Sequence, residues 1–272
     1  MQKYIAFIGA GNMASSIIQG LLTQGYPADH IIASRRHVAM LSHLSEQGVL
    51  TTPDNHEAAS KADIICLGLK PQLITQLMQD LAPTLADKNP LVLSIVTGIS
   101  LDTIQDTLGK HLHVVRCMPN LAATVGESMT ALIATPDTTA DEKTEAEQYC
   151  QSFGKTVWVD TEDKFDVLTG LSGSGPAYFF YLMEAMINAG VELGLDKQQA
   201  TALTLQTAAG AATLAQKSDE DVVALRQRIT SPNGTTAAAI AEFDAGDAKT
   251  TASNAVKAAV ARATALRNPE SS

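Results

Sequence analysis

The sequence predicts an α/β protein in two parts: a doubly wound sheet over residues 1–160 and an all-helical domain over residues 161–272. Three observations carry that reading. An apolar run, Tyr4-Ile5-Ala6-Phe7-Ile8, leads straight into Gly9-Ala10-Gly11-Asn12-Met13-Ala14 and then into a helix-like stretch from Ser15 to Gln24. Short apolar runs then alternate with helix-like ones as far as Val159, the pattern that builds a parallel sheet with helices on its faces. Beyond Val159 the strand signals stop and only helix patterns follow.

Strand, glycine turn and helix in that order form a Rossmann-type opening. Gly9 allows the tight turn, Gly11 lets a pyrophosphate approach the backbone, and Ala14 holds the third position, where a small residue lets helix pack on strand. The helix N-terminus then offers unpaired N–H groups and a positive dipole end to the phosphates. The bland alternative is that the glycines simply close an ordinary βα unit. The next strand, Ile31-Ile32-Ala33, ends in Ser34-Arg35-Arg36. An acid at this place holds a ribose 2′-hydroxyl, whereas arginine accommodates a 2′-phosphate. With two arginines and no acid the expected cofactor is NADPH, with NADH the weaker alternative; the competing reading is that both arginines only solvate a loop.

The rest of the first part follows in order. Val38 to Gln47 reads as helix, Val49 to Thr52 as a short strand, and Asp54 to Ser60 as a short helix with Asp54 as its cap. Ala62 to Leu69 is continuously apolar, as strands buried on both faces are. Lys70-Pro71 follows directly, Pro71 suiting a first helical turn and Lys70 a point charge near phosphates, with a catalytic amine as the other use. Leu91 to Val96 is a buried strand ending at Thr97-Gly98, and His113 to Pro119 is the sixth strand. Ligands of such sheets sit beyond the carboxyl ends of the strands. The expected cofactor floor is therefore Gly9 to Met13 (with Asn12), Ser34 to Arg36, Leu69 to Pro71, Thr97-Gly98 and Met118 to Asn120. Met129 to Ala134 and Thr156 to Val159 are two further strands around a polar helix, Asp141 to Phe153.

The second part breaks at Ser172 to Pro176, Gly194 to Asp196, Lys217 to Asp219 and Ser231 to Gly234. Ala177 to Leu193 is apolar on more than one face, so it must be buried on several sides. A subunit interface and a central core helix both satisfy that. Ser231-Pro232-Asn233-Gly234-Thr235-Thr236 precedes a helix, Ala237 to Phe243. Its backbone N–H groups at Gly234, Thr235 and Thr236 make a neutral device for holding a carboxylate; the bland reading is a helix cap and nothing more.

The bulk numbers narrow the function. A net charge of −10 argues against a nucleic-acid partner. No apolar run is long enough to cross a membrane, and Gly9, Gly11 and Asn12 interrupt anything resembling a secretory leader, so the expected location is the cytoplasm. Cys66, Cys117 and Cys150 have neither disulfide nor zinc spacing, and no metal site is expected. The six histidines, His30, His37, His43, His56, His111 and His113, all precede the helical part. A reaction needing little proton transfer from the protein fits that distribution. Hydride addition to an imine is one, because the imine nitrogen is basic enough to be protonated before attack.

Over essentially its whole length the chain resembles the pyrroline-5-carboxylate reductases. The residues that carry the resemblance are Val115-Arg116-Cys117-Met118-Pro119-Asn120 with Val125-Gly126-Glu127, then Thr169 to Tyr178, then Ser231-Pro232-x-Gly234-Thr235-Thr236. The resemblance implies NAD(P)H-dependent reduction of 1-pyrroline-5-carboxylate to L-proline, by homodimers built through the C-terminal helices that often assemble into decamers. It implies that Ser231, Asn233, Gly234, Thr235 and Thr236 surround the substrate, with backbone N–H groups on its carboxylate. Thr236 is the implied catalytic residue, its hydroxyl on the imine nitrogen. Asn55, Lys70 and Glu162 are implied at the cofactor. Two departures stand out. Asn233 occupies a position usually held by glycine, and Leu121-Ala122 replaces a usual Thr-Pro. The rivals are a β-hydroxyacid-type dehydrogenase, which would want a catalytic lysine among Lys164, Lys197 and Lys217, and a non-catalytic NADP sensor.

Overall fold

The computed structural model describes residues 3–69, 71–86 and 88–268; Lys70 lies outside them. The chain starts with β1 (Ile5–Ile8), α1 (Asn12–Thr23), β2 (Ile31–Ser34), a single α turn α2 (Ser42–Ser45), β3 (Leu50–Thr52), α3 (Asn55–Lys61) and β4 (Ile64–Leu67). It continues with α4 (Pro71–Ala86), β5 (Leu91–Ser94), α5 (Leu101–Leu108), β6 (Val114–Met118), β7 (Ser128–Ala134), α6 (Ala140–Gln151) and β8 (Gly154–Trp158). Helices follow: α7 (Glu162–Leu168), α8 (Gly175–Glu192), α9 (Lys197–Lys217), α10 (Val222–Arg228), α11 (Thr235–Ala245) and α12 (Ala248–Arg267).

The eight strands form one sheet in the order β3-β2-β1-β4-β5-β6-β7-β8. Chain order reverses at β1, where β2 lies on one side and β4 on the other, both parallel to it. That switch point opens a crevice at the carboxyl ends of the strands. The central strands are buried on both faces, which is why they read as unbroken apolar runs rather than alternations. Alternate residues of β1 serve two cores: Ile5 and Phe7 pack with α1 and α6, while Ala6 and Ile8 pack with α3, α4 and α5. β7 pairs antiparallel to β6, and β8 parallel to β7, so these last two strands run against the other six.

Two local readings are corrected. Val38 to Gln47 is not one helix but a 3₁₀ turn, Val38–Leu41, followed by α2, because only Leu41 and Leu44 face the core. α5 was not anticipated, although Leu101, Ile104 and Leu108 form its buried stripe.

By compactness the chain forms two units, one comprising the chain up to Ser174 and again from Ala258, the other Gly175–Lys257. The first unit thus extends past the expected division at residue 160. The reason is chemical: Phe165 and Asp166 of α7 are buried in it, and Arg267 of α12 bonds Asp163 and Asp166. In the second unit α8 and α9 form a hairpin through Gly194 (φ +101). They approach closely, since a methyl group added at Gly190 would come within 3.1 Å of the Ala200 Cβ. Apart from Gly175, no residue of α8 is buried within the chain; Tyr181 is 78% and Phe179 65% exposed. The central-core-helix reading therefore fails for the single chain.

Candidate active site

Helix N-termini leave unpaired amides, and six helices here satisfy them with a side chain. Asp54, Ser100, Thr139, Thr161, Asp196 and Asp221 cap α3, α5, α6, α7, α9 and α10 in that way. Two helices start instead from a glycine: α1 from Gly11 and α11 from Gly234, neither with a side-chain cap nor an acid in its first turn. These are the two places where the sequence expects a phosphate and a carboxylate.

At α1 the turn is fixed by the sheet. Gly9 and Ala10 N–H both donate to the Ser34 carbonyl, at 3.1 and 2.9 Å. Gly9 has φ +79, and Leu69 lies over it so closely that an added Cβ would fall 2.3 Å from Leu69 Cγ. Around Gly11 the space is open: the nearest atom to an added Cβ is the Gly9 carbonyl oxygen at 3.9 Å. The amides of Asn12 and Met13 have no acceptor among the described residues. Open space, unpaired amides and an uncapped dipole end fit a pyrophosphate.

The two arginines take different positions. Arg35 folds back and donates from Nη1 to the Ala10 carbonyl at 3.3 Å, placing its guanidinium beside the glycine turn. Arg36 is exposed, with no hydrogen bond or ion pair among the described residues. Ser34 does not present a free hydroxyl. It is fully buried, and its Oγ donates to Asn55 Oδ1 at 2.7 Å. That bond orients Asn55, the first residue of α3, whose side-chain amide N–H groups have no acceptor among the described residues.

On the other side of the switch point, Thr97 follows β5 and its hydroxyl approaches the Met118 sulfur at 3.9 Å. Asn120 is buried; its Nδ2 donates to the Ser172 carbonyl at 3.1 Å and its N–H donates to Ser128 Oγ at 3.0 Å. Glu162 is engaged as well. Its Oε1 accepts the Leu101 N–H at 2.8 Å and its Oε2 pairs with Arg116. Its carboxylate is thus committed to the protein rather than open to a cofactor. Pro71 opens α4 as expected, and Lys70 beside it lies outside the described residues.

Sequence reasoning missed Arg116, Asp166 and Arg267, which form a buried ionic cluster with Glu162. Arg116 is 2% exposed and stacks on Phe165, its guanidinium carbon 4.3 Å from the ring centroid. Burial pulls its basicity down, and Glu162 and Asp166 push the other way. For Arg267, burial also lowers basicity, but hydrogen bonds and charge from Asp166 and Asp163 prevail and raise it. Cys66, Cys117 and Cys150 are all buried free thiols, and burial raises the Cys66 thiol pKa, so Cys66 is no ready nucleophile.

In the second unit, Asn233 takes a left-handed conformation at φ +61. The Gly234 N–H donates to the Ser231 carbonyl at 3.1 Å, closing the turn. The Gly234 amide is therefore spent, which corrects the expectation that it is free for a carboxylate. The Thr235 and Thr236 amides have no acceptor among the described residues. An added Cβ at Gly234 would lie 2.5 Å from Ser231 Oγ, which can rotate away, and 3.2 Å from the Ser231 carbonyl oxygen.

Comparison with known proteins agrees with this layout. A family model described as pyrroline-5-carboxylate reductase dimerisation matches residues 162–266, and one described as NADP oxidoreductase, coenzyme F420-dependent, matches residues 4–98. The chain is 43% identical to the pyrroline-5-carboxylate reductase of Pseudomonas aeruginosa over 96% of both chains. It is 38% identical to that of Haemophilus influenzae, again over 96% of both. Among solved structures, a pyrroline-5-carboxylate reductase from Coxiella burnetii superposes with a TM-score of 0.92 at 39% identity, covering 98% of this chain and 99% of that one. A Plasmodium falciparum pyrroline carboxylate reductase with NADP bound gives 0.88 at 27% identity, covering 98% and 100%.

Proposed function

The chain belongs to the pyrroline-5-carboxylate reductase family, and we propose that it reduces the imine of 1-pyrroline-5-carboxylate to L-proline with NADPH, the last step of proline biosynthesis. The observation that carries this is the pair of glycine-capped, uncapped-by-side-chain helix ends, one suited to a pyrophosphate and one to a small carboxylate.

NADPH, when bound, supplies the hydride. The amides at the start of α1 would hold its pyrophosphate, Arg35 and Arg36 would meet its 2′-phosphate, and Asn55, Leu69 and Thr97 would line its path; the sequence assigns Lys70 and Pro71 to the cofactor as well. Ser34 acts through Asn55, and Glu162 acts through the protein rather than by touching the cofactor. The Thr235 and Thr236 amides hold the substrate carboxylate, with Ser231, Asn233 and Gly234 shaping the turn. The Thr236 hydroxyl hydrogen-bonds the imine nitrogen. The imine carbon gains hydride and the nitrogen gains a proton from solvent, giving a secondary amine. The protein needs no strong general acid, in keeping with a substrate loop that has no histidine near it in sequence.

Functionally the division is read as a cofactor domain, residues 1–160, and a substrate-binding and dimerisation domain, residues 161–272. The match of the dimerisation model to residues 162–266 supports that division. Exposed Phe179, Phe180, Tyr181 and Leu193 support a homodimer through α8, with the decamer as the higher assembly. Three free thiols and the absence of a candidate membrane-spanning helix among the described residues are in keeping with a cytoplasmic setting.

The test is loss of reduced-nicotinamide absorbance on adding 1-pyrroline-5-carboxylate, with proline identified as product and NADH run alongside. Rapid NADPH oxidation with proline formed is expected. Cofactor binding with no turnover would overturn the assignment in favour of an NADP sensor. Turnover of a β-hydroxyacid instead would favour the dehydrogenase, although Lys164, one of the lysines that reading wants, is exposed and paired with Asp160 at 2.8 Å.

A further inference from the structure

The ionic cluster around α7 does something more specific than hold a helix in place. α7 carries three carboxylates in two turns: Glu162 reaches α5 and β6, while Asp163 and Asp166 both reach Arg267 at the end of α12. Glu162 Oε1 accepts the Leu101 N–H at 2.8 Å, so a carboxylate sits on the first amide of α5. Ser100 Oγ takes the Thr103 N–H at 3.1 Å. Between them these two acceptors fix the first turn of α5, and a carboxylate at that end is also favoured by the helix dipole. The segment that runs into this turn from β5 is Ile95 to Ser100, which carries Thr97 and Gly98.

The same segment is held from a second direction. Gly98 has φ +76, and an added Cβ would lie 3.0 Å from Leu266 Cβ and 3.3 Å from the Leu266 carbonyl oxygen. The end of α12 therefore abuts the turn. α12 is itself fastened to α7: Arg267 donates from Nε to Asp166 Oδ2 at 3.0 Å and from Nη2 to Asp163 Oδ1 at 2.7 Å, and Thr264 Oγ1 donates to Asp166 Oδ2 at 2.9 Å. Arg116 completes the arrangement from the sheet, pairing with Glu162 and stacking on Phe165. Its Nε has no partner among the described residues.

We propose that Arg116, Glu162, Asp166 and Arg267 form a clamp that sets the position of the Thr97–Gly98 turn, and with it the placement of the nicotinamide ring. These are positioning residues: none touches a reacting atom. The inference rests on the reading that Thr97 lines the nicotinamide site. A clamp of this kind governs hydride transfer more than cofactor affinity, because most of the dinucleotide is held at α1 and β2, at the far side of the switch point. Small misplacement is costly: displacements of about 1 Å can lower rates by up to roughly 100-fold.

The test uses Arg267→Lys and the milder Thr264→Val, with Glu162→Gln as the strongest change. The expected result for Arg267→Lys is a fall in kcat of about tenfold with the NADPH dissociation constant within about twofold of wild type, the signature of an interaction expressed in the transition state. The primary isotope effect with 4-deuterated NADPH is expected to rise. In the cofactor-free protein, amide hydrogen exchange is expected to quicken in the segment 95–101 of both variants and not in α1. Thr264→Val should show the same pattern at about threefold in kcat by the same reasoning. A lowered Tm with wild-type kcat, isotope effect and 95–101 exchange in both variants would overturn the clamp and leave a purely structural cluster. If Glu162→Gln does not fold, the two milder variants decide. A wild-type enzyme inactive on 1-pyrroline-5-carboxylate is a separate failure, of the reaction itself, and the exchange measurement still reads whether the clamp holds the turn.

Discussion

The two glycine-capped helix ends, α1 and α11, do the same physical job in different settings. Both leave amides unpaired and both lack an acid in the first turn. At α1 the preceding turn is welded to the sheet through the Ser34 carbonyl and covered by Leu69. At α11 the turn closes on itself, Gly234 to Ser231, with Ser231, Pro232 and Asn233 all exposed. On the proposed reading the first would hold the pyrophosphate of a large anionic cofactor by preorganised backbone. The second adds something α1 lacks, a hydroxyl at the second helical position, Thr236. On the proposed reading the difference separates affinity from chemistry: α1 would bind, and α11 would both bind and contact the reacting nitrogen.

The largest expected effect breaks that comparison at α11. Thr236→Ala keeps the helix and its amides but removes the hydroxyl. Turnover should fall by at least about tenfold, while the NADPH dissociation constant stays close to wild type. Steady-state kinetics with a separate cofactor titration checks this; normal turnover would remove Thr236 from the chemistry. At α1 the matching change is Gly11→Ala. The protein has room for the methyl group, so the Tm without cofactor should hardly move. The methyl group would instead meet the pyrophosphate, weakening NADPH binding by about tenfold, or about 1.4 kcal/mol. Unchanged affinity would mean that the phosphates lie elsewhere.

A smaller effect sharpens the affinity side. Arg35→Ala with Arg36→Ala should raise the KM for NADPH several-fold more than that for NADH, since only the former has a 2′-phosphate. The effect should shrink as salt is added, because Arg36 is exposed. Equal effects on both cofactors would assign the arginines to the loop alone.

These contrasts also show what the sequence makes legible. The α1 turn could be read because all its determinants, Gly9, Gly11 and Ala14, are adjacent in the chain. The α11 turn could be read for the same reason. The clamp could not: Arg116, Glu162 and Arg267 lie far apart in sequence, and nothing local marks an arginine in a buried strand as the partner of a glutamate on α7. The same long-range pairs explain why α7 and the end of α12 join the first unit although strand signals end earlier. The partner of Ser34 was hidden for a subtler reason. Ser34 ends β2, and the register that buries its hydroxyl against Asn55 is a property of the sheet. α5 is a different kind of miss, since Leu101, Ile104 and Leu108 do carry a helical period.

The smallest effect concerns Asn233, the residue that distinguishes the α11 turn. At φ +61 asparagine is tolerated but glycine is freer. Asn233→Gly relieves that conformation while adding flexibility to the unfolded chain, and the two oppose each other. The net change should be within about 1 kcal/mol, with substrate KM and kcat unaltered. Asn233→Val supplies the contrast. A β-branched residue is strained in the left-handed region, so the turn must shift to accommodate it, carrying the Thr235 and Thr236 amides with it. Substrate KM should then rise about tenfold with NADPH binding unchanged, and an N233V enzyme with normal substrate KM would show that the carboxylate is not held by this turn.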